Sequence, residues 1–549
     1  MSEARARELA AALEASPRDA ALRFALAQTL KSLGDVNGAV RTLAAGVQIA
    51  PAEVERWLAL AAMLMEIELA SPKVREDGVV TPLERAMETI EQALALAPAA
   101  PAVLAQAAMT FRYACAWERA TACEDALVRL ADDRTRPFAV SPMIAAAVIA
   151  EPATQARAIR DFVARTMPRA RAVVAAPYVK QPGTALRVGY LSADFHEHAT
   201  AHLIAGMLDA HDRSRVTTFA YALEGDDGSA MRKRLVRAFA RWRDLRDASD
   251  DDAAALIARD SLDVLVDLKG HTSGSRIGIL ARRPAPHQIH YLGFPGTIAH
   301  PAIDAQVADA IVVPPGEEKH YDEHVLRLPV CYQANDSMRP LPAAPERSSV
   351  GLPERGLVLV CFNQTYKLAR AFVDAWLDVL SRHADAVLWL NVPHALARRN
   401  LRAAAQSRGV APERIVFAPI VPQPEHLARL RCADLALDVL PYGSHTTGSD
   451  ALWCGVPLLT LTGETFAGRV GTSLVNAVNL HELAVSSMDA YRDAIEELAT
   501  DRARLAHYKA HLERDRYDLP LFETQRFTRE FEAMLESATR LPPKPQRHA

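Results

Sequence analysis

Two prolines, Pro17 and Pro51, lie 34 residues apart and flank a helix–turn–helix pattern. Apolar residues recur at helical spacing up to Leu33, a Gly-Asp pair then interrupts the pattern, and a second helix is predicted from about Val36 to Ile49. Thirty-four residues is the period of the tetratricopeptide repeat. Because one such repeat cannot bury its apolar face alone, this spacing predicts a stack of helix pairs.

The pattern returns after Pro98, where a turn at Ala116 precedes a helix predicted from Glu118 to Leu130. The 47 residues before Pro98 fit a middle repeat with a 13-residue insertion centred on 71–82. An irregular helical bundle is the alternative, but the matched proline and turn positions favour repeats. We therefore predict a tetratricopeptide repeat domain at 1–131, whose concave surface would bind peptides.

The pattern changes near residue 185, after a helical transition and linker predicted at 132–184. Short apolar segments alternate with helices to about 330, which predicts a parallel sheet with crossover helices. The segments are strands at 186–194, 216–223 and 262–270, with a helix at 229–241. The first lobe is therefore predicted at 185–340.

The alternation resumes after a proline-rich joint at 337–349 and predicts a second lobe at 350–538. Its strands are predicted at 357–362, 386–392, 414–419, 435–441 and 457–461. The predicted fold is thus a helical repeat region followed by two doubly wound α/β lobes. Open parallel sheets bind ligands at the carboxyl ends of their strands, and a nucleotide is the expected ligand class.

Charge and composition exclude several classes of partner. The formal net charge is −4, which gives no general attraction to nucleic acid or anionic lipid. The amino terminus lacks the apolar core of a signal peptide, and no apolar run approaches the ~20 residues of a membrane helix. The six cysteines form no C-x-x-C pair. We expect a cytoplasmic protein with buried, reduced thiols and no membrane partner.

The segment 435–461 reads as a strand, a turn of small residues, a helix and a strand. His445, Thr446 and Thr447 fall at the predicted helix start, where free N–H groups and threonine hydroxyls suit a diphosphate. Asp450, placed in the first turn, would accept hydrogen bonds from ribose hydroxyls. An ordinary N-cap with an acidic first turn is the alternative.

Two further segments carry candidate chemistry. A polar loop with Gln364 and Lys367 follows the strand at 357–362, so the lysine would neutralise charge on a departing diphosphate unless it is a solvated surface residue. After the first strand come His196, His198 and His202. Nearby histidines suggest zinc, but a zinc site also needs a further ligand and a supporting shell. Nothing else in this segment suggests them, so we expect no metal. A histidine here would orient or deprotonate an acceptor hydroxyl.

Several motifs, taken together and in this order, resemble the protein O-GlcNAc transferase and SPINDLY family, glycosyltransferase family 41. They are D-F-x-x-H (194–198), Y-L-G-F-P-G-T (291–297), F-N-Q-x-Y-K (362–367), H-T-T-G-x-D (445–450), D-A-L-W-x-G-V-P (450–457) and G-E-T-x-A-x-R-V (463–470). The resemblance covers nearly the whole chain. It implies tetratricopeptide repeats followed by two Rossmann-like lobes of the GT-B type.

The resemblance also implies the activity: transfer of a sugar, with UDP-GlcNAc as first choice of donor, to Ser or Thr of protein acceptors. The implied activity needs no cofactor beyond the donor substrate and no metal. The implied roles are catalysis by His198 and Lys367, and donor binding by Gln364, Lys367, Val421, Pro422, Gln423, His426, Arg429, His445, Thr446, Thr447 and Asp450. Whether His198 is a base or a positioning group stays open.

Two positions depart from the animal enzymes of this family. A lysine near the base is replaced by Gln423, and a cysteine lining the N-acetyl pocket is replaced by Tyr442, which SPINDLY-type fucosyltransferases share. GDP-fucose and UDP-glucose are therefore alternative donors, and asparagine or a non-protein acceptor is an alternative to Ser and Thr. A non-catalytic, repeat-based scaffold is the alternative from another functional class.

Overall fold

The computed structural model describes residues 3–70, 80–167 and 183–541. Most of the predicted repeat insertion (71–79) and of the predicted linker (168–182) lies outside the described residues. The helices that precede the first strand are α1 (Glu3–Ala15), α2 (Ala20–Ser32), α3 (Val36–Ile49), α4 (Val54–Ala70), α5 (Pro82–Leu96), α6 (Pro101–Tyr113), α7 (Trp117–Ala131), α8 (Pro142–Val148) and α9 (Pro152–Thr166).

The first lobe contains β1 (Leu186–Ser192), α10 (Ala199–Ala210), β2 (Val216–Ala222), α11 (Ala230–Ala238), β3 (Arg241–Asp244), α12 (Asp250–Arg259), β4 (Val264–Asp267), α13 (Ile277–Ala281), β5 (His287–His290), β6 (Ala305–Asp309) and β7 (His324–Leu328). The second lobe contains β8 (Val358–Cys361), α14 (Arg370–Arg382), β9 (Val387–Leu390), α15 (Ala395–Ser407), β10 (Ile415–Phe417), α16 (Gln423–Leu430), β11 (Leu435–Leu437), α17 (Thr446–Trp453), β12 (Leu458–Leu461), α18 (Phe466–Asn476), β13 (Ala484–Val485), α19 (Met488–Thr500), α20 (Arg502–Arg514) and α21 (Thr524–Ala538).

The amino-terminal helices pack in sequential pairs, α2 with α3, α4 with α5 and α6 with α7. The starts of α2 and α4 are 34 residues apart, which matches the spacing read from the sequence. Local signals set the ends of these helices. The Asp19 carboxylate caps α2, a capping box of Thr81 and Glu84 starts α5, and Gly34 adopts a positive φ of 87° in the turn after α2.

The first lobe is a seven-stranded sheet of order β3-β2-β1-β4-β5-β6-β7, in which every adjacent pair is parallel. Strand β1 lies in the interior of the sheet between β2 and β4, with Leu186 opposite Val216 of β2 and Val188 opposite Val264 of β4. Because the strand order reverses between β1 and β4, the loops that follow these strands flank a switch point, where open α/β sheets bind ligands.

Two expectations for this lobe were wrong. The helix predicted at 229–241 ends at Ala238, and Arg241 begins the edge strand β3, whose Arg-Trp-Arg-Asp sequence carries no apolar strand pattern. Strands and helices also stop alternating after β5. The connections from β5 to β6 and from β6 to β7 contain no α-helix, although the strands of each pair are parallel.

The second sheet has the order β10-β9-β8-β11-β12-β13, and its first strand in sequence, β8, also lies in the interior. Strand β8 pairs in parallel with β11, β11 with β12, and β12 with β13. The two-residue edge strand β13 is too short to be read from the sequence. The predicted fold class, a helical region followed by two Rossmann-like lobes, is confirmed.

The described residues divide into two compact units. One unit contains the described residues up to and including Val140, together with Phe362–Ser381 and Trp389–Ile420. The other contains the described residues of Ser141–Cys361, Arg382–Leu388 and the described residues from Val421 onwards. In the first unit, the helix pairs pack against parts of the second lobe. The buried Glu68 carboxylate of α4 lies 2.8 Å from His394 Nδ1, directly before α15.

In the second unit, the carboxy-terminal helix α21 packs on α10 of the first lobe. Its buried Glu532 carboxylate lies 2.9 Å from His211 Nδ1, and the Nε2 of the same ring lies 2.8 Å from the Tyr190 hydroxyl. All six cysteines are free and buried. Among the helices that the structure describes, none has the length and apolarity needed to span a membrane.

Candidate active site

A buried carboxylate, that of Asp438, fixes the loop between β11 and α17. Its Oδ1 accepts hydrogen bonds from the backbone N–H groups of Val439 (2.8 Å) and Ser444 (2.6 Å), and its Oδ2 accepts one from the Thr460 hydroxyl of β12 (2.8 Å). Burial raises the pKa of Asp438, and these donors oppose the rise. Asp438 thereby links the loop to strands β11 and β12.

Two glycines make room for this arrangement. The Gly443 N–H donates to the Ala467 carbonyl at 3.1 Å, and a Cβ at 443 would lie 3.2 Å from that oxygen. A Cβ at Gly471 of α18 would lie 2.1 Å from the Asp438 carboxylate. Side chains at these positions would displace the loop or the carboxylate that anchors it.

The loop ends where α17 begins. His445 is the N-cap residue, Thr446 and Thr447 form the first positions of the helix, and all three are partly exposed. The amino-terminal end of a helix carries partial positive charge and presents N–H groups, so it suits an anion. The Tyr442 ring is buried and stacks on the His445 ring, with centroids 4.9 Å apart.

Asp450 is the fifth residue of α17 and lies just beyond the first turn in which it was predicted. Its Oδ1 accepts a hydrogen bond of 2.6 Å from Nη1 of Arg339, and both side chains are buried. The Arg339 guanidinium also lies 5.1 Å from the centre of the Trp453 ring, at the end of the same helix. Arg339 belongs to the proline-rich joint between the lobes.

Helix α16 packs beside α17 and carries the residues expected near the base. Val421 and Pro422 immediately precede it, with Pro422 as its N-cap residue, and Gln423 is its first residue. His426 Nδ1 lies 3.4 Å from Nη2 of Arg429. Burial lowers the pKa of His426, which the nearby Asp450 carboxylate opposes.

His198 is the N-cap residue of α10, which also packs against α17. Its Nδ1 accepts a 3.2 Å hydrogen bond from the Thr200 N–H, so the neutral ring carries its proton on Nε2. The side chain is 42% exposed. Partial burial lowers the pKa of His198, and Lys269 adds to this effect, while Asp194 opposes it.

A buried ion pair supports this histidine. Lys269 Nζ lies 2.6 Å from Asp194 Oδ1, and Asp194 Oδ2 lies 3.6 Å from His198 Nδ1. Nearby, His202 Nε2 lies 2.6 Å from the Glu197 carboxylate. Within the described ranges, histidine, cysteine and acidic side chains form no group of three that could hold a metal ion.

Lys367 ends a 3₁₀ turn, Thr365–Lys367, that follows β8 in the chain. Gln364 is the N-cap residue of this turn and is exposed, whereas Lys367 is buried. Gln364 and Lys367 belong to the first compact unit. The second unit contains the other predicted site residues. Within this unit, α17 packs against both α10 and α16, so the helices that carry these residues are neighbours.

Residues 169–347 and 336–531 match glycosyl transferase family 41, and together they make up more than half of the chain. The chain belongs to glycosyl transferase family 41. The match covers both lobes and every residue predicted for the site, from His198 to Asp450. The resemblance drawn from the sequence motifs is therefore confirmed.

Relatives within family 41 are similar at moderate identity. A probable UDP-N-acetylglucosamine–peptide N-acetylglucosaminyltransferase, SEC of Arabidopsis thaliana, is 36% identical over 354 residues, which are 63% of this chain and 36% of that protein. A UDP-N-acetylglucosamine–peptide N-acetylglucosaminyltransferase of Caenorhabditis elegans is 26% identical over 468 residues, with 65% and 41% covered. The chain thus spans less than half the length of these relatives.

A solved structure, that of a mutant O-GlcNAc transferase from Thermobaculum terrenum, resembles this family 41 chain over nearly its full length. The TM-score is 0.71 at 26% sequence identity, and the match covers 95% of this chain and 98% of the other. The similarity therefore includes the helical region as well as both lobes.

Sequence reasoning missed three residues that the structure places around the site of this family 41 member. They are Asp194 and Lys269, which form the ion pair beside His198, and Arg339, which pairs with Asp450. Asp194 stands in the D-F-x-x-H motif and Lys269 lies two residues after the end of β4, so both carried a usable signal. Arg339 carried none, because the proline-rich joint reads as a linker.

Replacing Arg339 by Leu is expected to lower the free energy of unfolding by about 3–5 kcal/mol, because the buried Asp450 carboxylate would lose its partner. Urea denaturation followed by circular dichroism measures this loss. The double variant Arg339→Leu/Asp450→Asn removes both charges and should recover most of it. A single variant as stable as the wild type would show that the pair contributes nothing to the fold.

Proposed function

We propose that this protein transfers N-acetylglucosamine from UDP-GlcNAc to serine and threonine hydroxyls of protein acceptors. The observation that carries the proposal is the likeness, over nearly the full length of both chains, to a protein named as an O-GlcNAc transferase. The printed names of the A. thaliana and C. elegans relatives, which specify UDP-GlcNAc and a peptide acceptor, support the same donor and acceptor.

In the proposed reaction, the acceptor hydroxyl oxygen attacks the anomeric carbon of the sugar, the bond from that carbon to the diphosphate oxygen breaks, and UDP leaves. The hydroxyl proton passes to the departing diphosphate or to solvent. Negative charge grows on the diphosphate. Lys367 supplies a positive charge to it, and the start of α17 supplies backbone N–H groups with the Thr446 and Thr447 hydroxyls. Donors that are fixed before the reaction stabilise such charge without reorganising.

The proposed nucleotide contacts follow the two helices of the second unit. Val421, Pro422 and Gln423 at the start of α16 would contact the base, with His426 and Arg429 behind them. Because Arg339 occupies Oδ1 of Asp450, Oδ2 is the oxygen that we assign to a ribose hydroxyl. His445 would contact the nucleotide phosphates, and Gln364 would lie beside the leaving group.

For His198 we favour a positioning role. Its Nδ1 already accepts the Thr200 N–H, so the neutral ring offers an N–H donor at Nε2 and no lone pair there. A donor at this place orients an acceptor oxygen or a sugar hydroxyl. A base would require Nδ1 to release the helix cap.

The identity of the donor depends most on Tyr442. Its ring is buried against His445, so it reduces the space beside the start of α17 compared with a smaller side chain. GDP-fucose and UDP-glucose are therefore the alternative donors. Asparagine or a non-protein acceptor remains the alternative on the acceptor side, and the paired helices α2 to α7 are the surface that we assign to peptide acceptors.

The donor is tested by incubating the purified protein with a host lysate and each of UDP-GlcNAc, GDP-fucose and UDP-glucose, followed by peptide mass spectrometry. We expect a mass increase of N-acetylhexosamine on serine or threonine with UDP-GlcNAc alone. Modification by another donor alone would replace the donor. Modification by none of the three would favour the non-catalytic scaffold.

Replacing Lys367 by Ala is expected to lower kcat by about 100- to 1000-fold, since a preorganised charge on the leaving group is lost. The matched control is Lys319→Ala, which removes a lysine whose side chain is 65% exposed. Initial rates with saturating donor, together with thermal unfolding, separate loss of chemistry from loss of fold. Near-normal transfer by the Lys367 variant would remove the lysine from the mechanism.

The pH profile tests His198. Because its pKa lies below the ordinary 6.5, the ring stays neutral at pH 7 and protonates only under more acidic conditions. Protonation at Nδ1 ends its acceptance of the Thr200 N–H, so kcat/KM should fall below pH 6.5. His198→Asn keeps a capping oxygen but does not titrate, and should lose this acidic limb. His196→Asn should keep it. An unchanged limb in His198→Asn would assign the titration to another group.

A further inference from the structure

The 3₁₀ turn that carries Lys367 is held by donors from the helical region. The Trp117 indole N–H, at the start of α7, donates a 2.7 Å hydrogen bond to the carbonyl of Leu368. Arg112 Nη1 of α6 lies 3.5 Å from the carbonyl of Tyr366. The carbonyls on both sides of Lys367 are therefore contacted from the helix pair α6–α7.

The residues that make these contacts are buried. Trp117, Arg112, Tyr366 and Leu368 are all buried, and so is Lys367. A buried carbonyl that loses its donor cannot turn to water, so the turn must either shift or leave a polar group unpaired. The Trp117 hydrogen bond therefore restricts the backbone of the turn more strongly than an exposed bond of the same length would.

The donors themselves are held in place. Arg112 Nε lies 2.5 Å from the Glu124 carboxylate of α7, and the Tyr113 ring packs on the Tyr366 ring with centroids 5.2 Å apart. The Trp117 ring also lies under the guanidinium of Arg370, 5.2 Å away, at the start of α14. Helices α6 and α7 thus contact both the Lys367 turn and the start of α14, the helix that follows it.

We propose that Trp117 is a positioning residue for Lys367, so that the helical region forms part of the support of the donor site in addition to presenting acceptors. The inference rests on the role proposed above for Lys367. A lysine acts on a leaving diphosphate only from the right place, and a displacement of about 1 Å can cost a rate factor near 100. The hydrogen bond from Trp117 fixes the residue directly after it.

The test uses the full-length protein and Trp117→Phe, which keeps an aromatic ring but removes the N–H donor. We expect kcat to fall about 10- to 100-fold, with the KM for UDP-GlcNAc changed less than about threefold. Trp57→Phe is the matched control, because the Trp57 indole donates a 2.8 Å hydrogen bond to the Pro51 carbonyl in the same helical region, away from the turn. Its kcat should stay near the wild-type value.

A double-variant cycle separates positioning from general destabilisation. If Trp117 acts through Lys367, adding Trp117→Phe to Lys367→Ala should lower kcat by less than about twofold further. Independent, multiplicative losses, or a Trp117→Phe variant with wild-type kcat, would overturn the inference. A Lys367→Ala variant with normal kcat would instead refute the proposed role of the lysine, so the two failures are distinguishable.

Discussion

The buried carboxylate of Asp438 determines how the chain enters α17. It accepts hydrogen bonds from the loop before the helix and from Thr460 of the adjacent strand β12. Without this acceptor, the backbone N–H groups of a buried loop would lack partners, which costs more than a typical hydrogen bond gains. The position of His445, Thr446 and Thr447 at the exposed helix start follows from a residue that is itself out of reach of any substrate.

Polar contacts between distant parts of the sequence hold the second unit together in the same manner. The Ser473 hydroxyl of α18 donates to the Asp309 carboxylate at the end of β6, and Arg339 reaches Asp450. Glu532 of α21 lies against His211, directly after α10. Helix α10 is therefore held at its end by Glu532 of the carboxy-terminal helix, and helix α17 is held by Arg339 of the joint between the lobes.

The periodicity of apolar residues predicted most of the helices and strands, because the elements with a strong apolar pattern are the buried ones. Helix α3 and strands β1, β2 and β8 lie within a residue or two of the predicted positions. The predictions failed where secondary structure does not follow the apolar pattern. These places are the polar edge strand β3 and the loop connections around β6. The site motifs identified a family because they occur in order. Partners far apart in sequence, such as Arg339 with Asp450 and Trp117 with Leu368, leave no local signal.

The contacts of α6 and α7 with the Lys367 turn limit where helix pairs can be added to the array. A pair inserted after α7 would move Trp117 away from Leu368, and a pair inserted between α4 and α7 would separate that contact from the one between Glu68 and His394. A pair added ahead of α2 would disturb neither. An array anchored at its carboxy-terminal end can lengthen only at its amino-terminal end, so the number of helix pairs is free to change while the Lys367 turn stays in place.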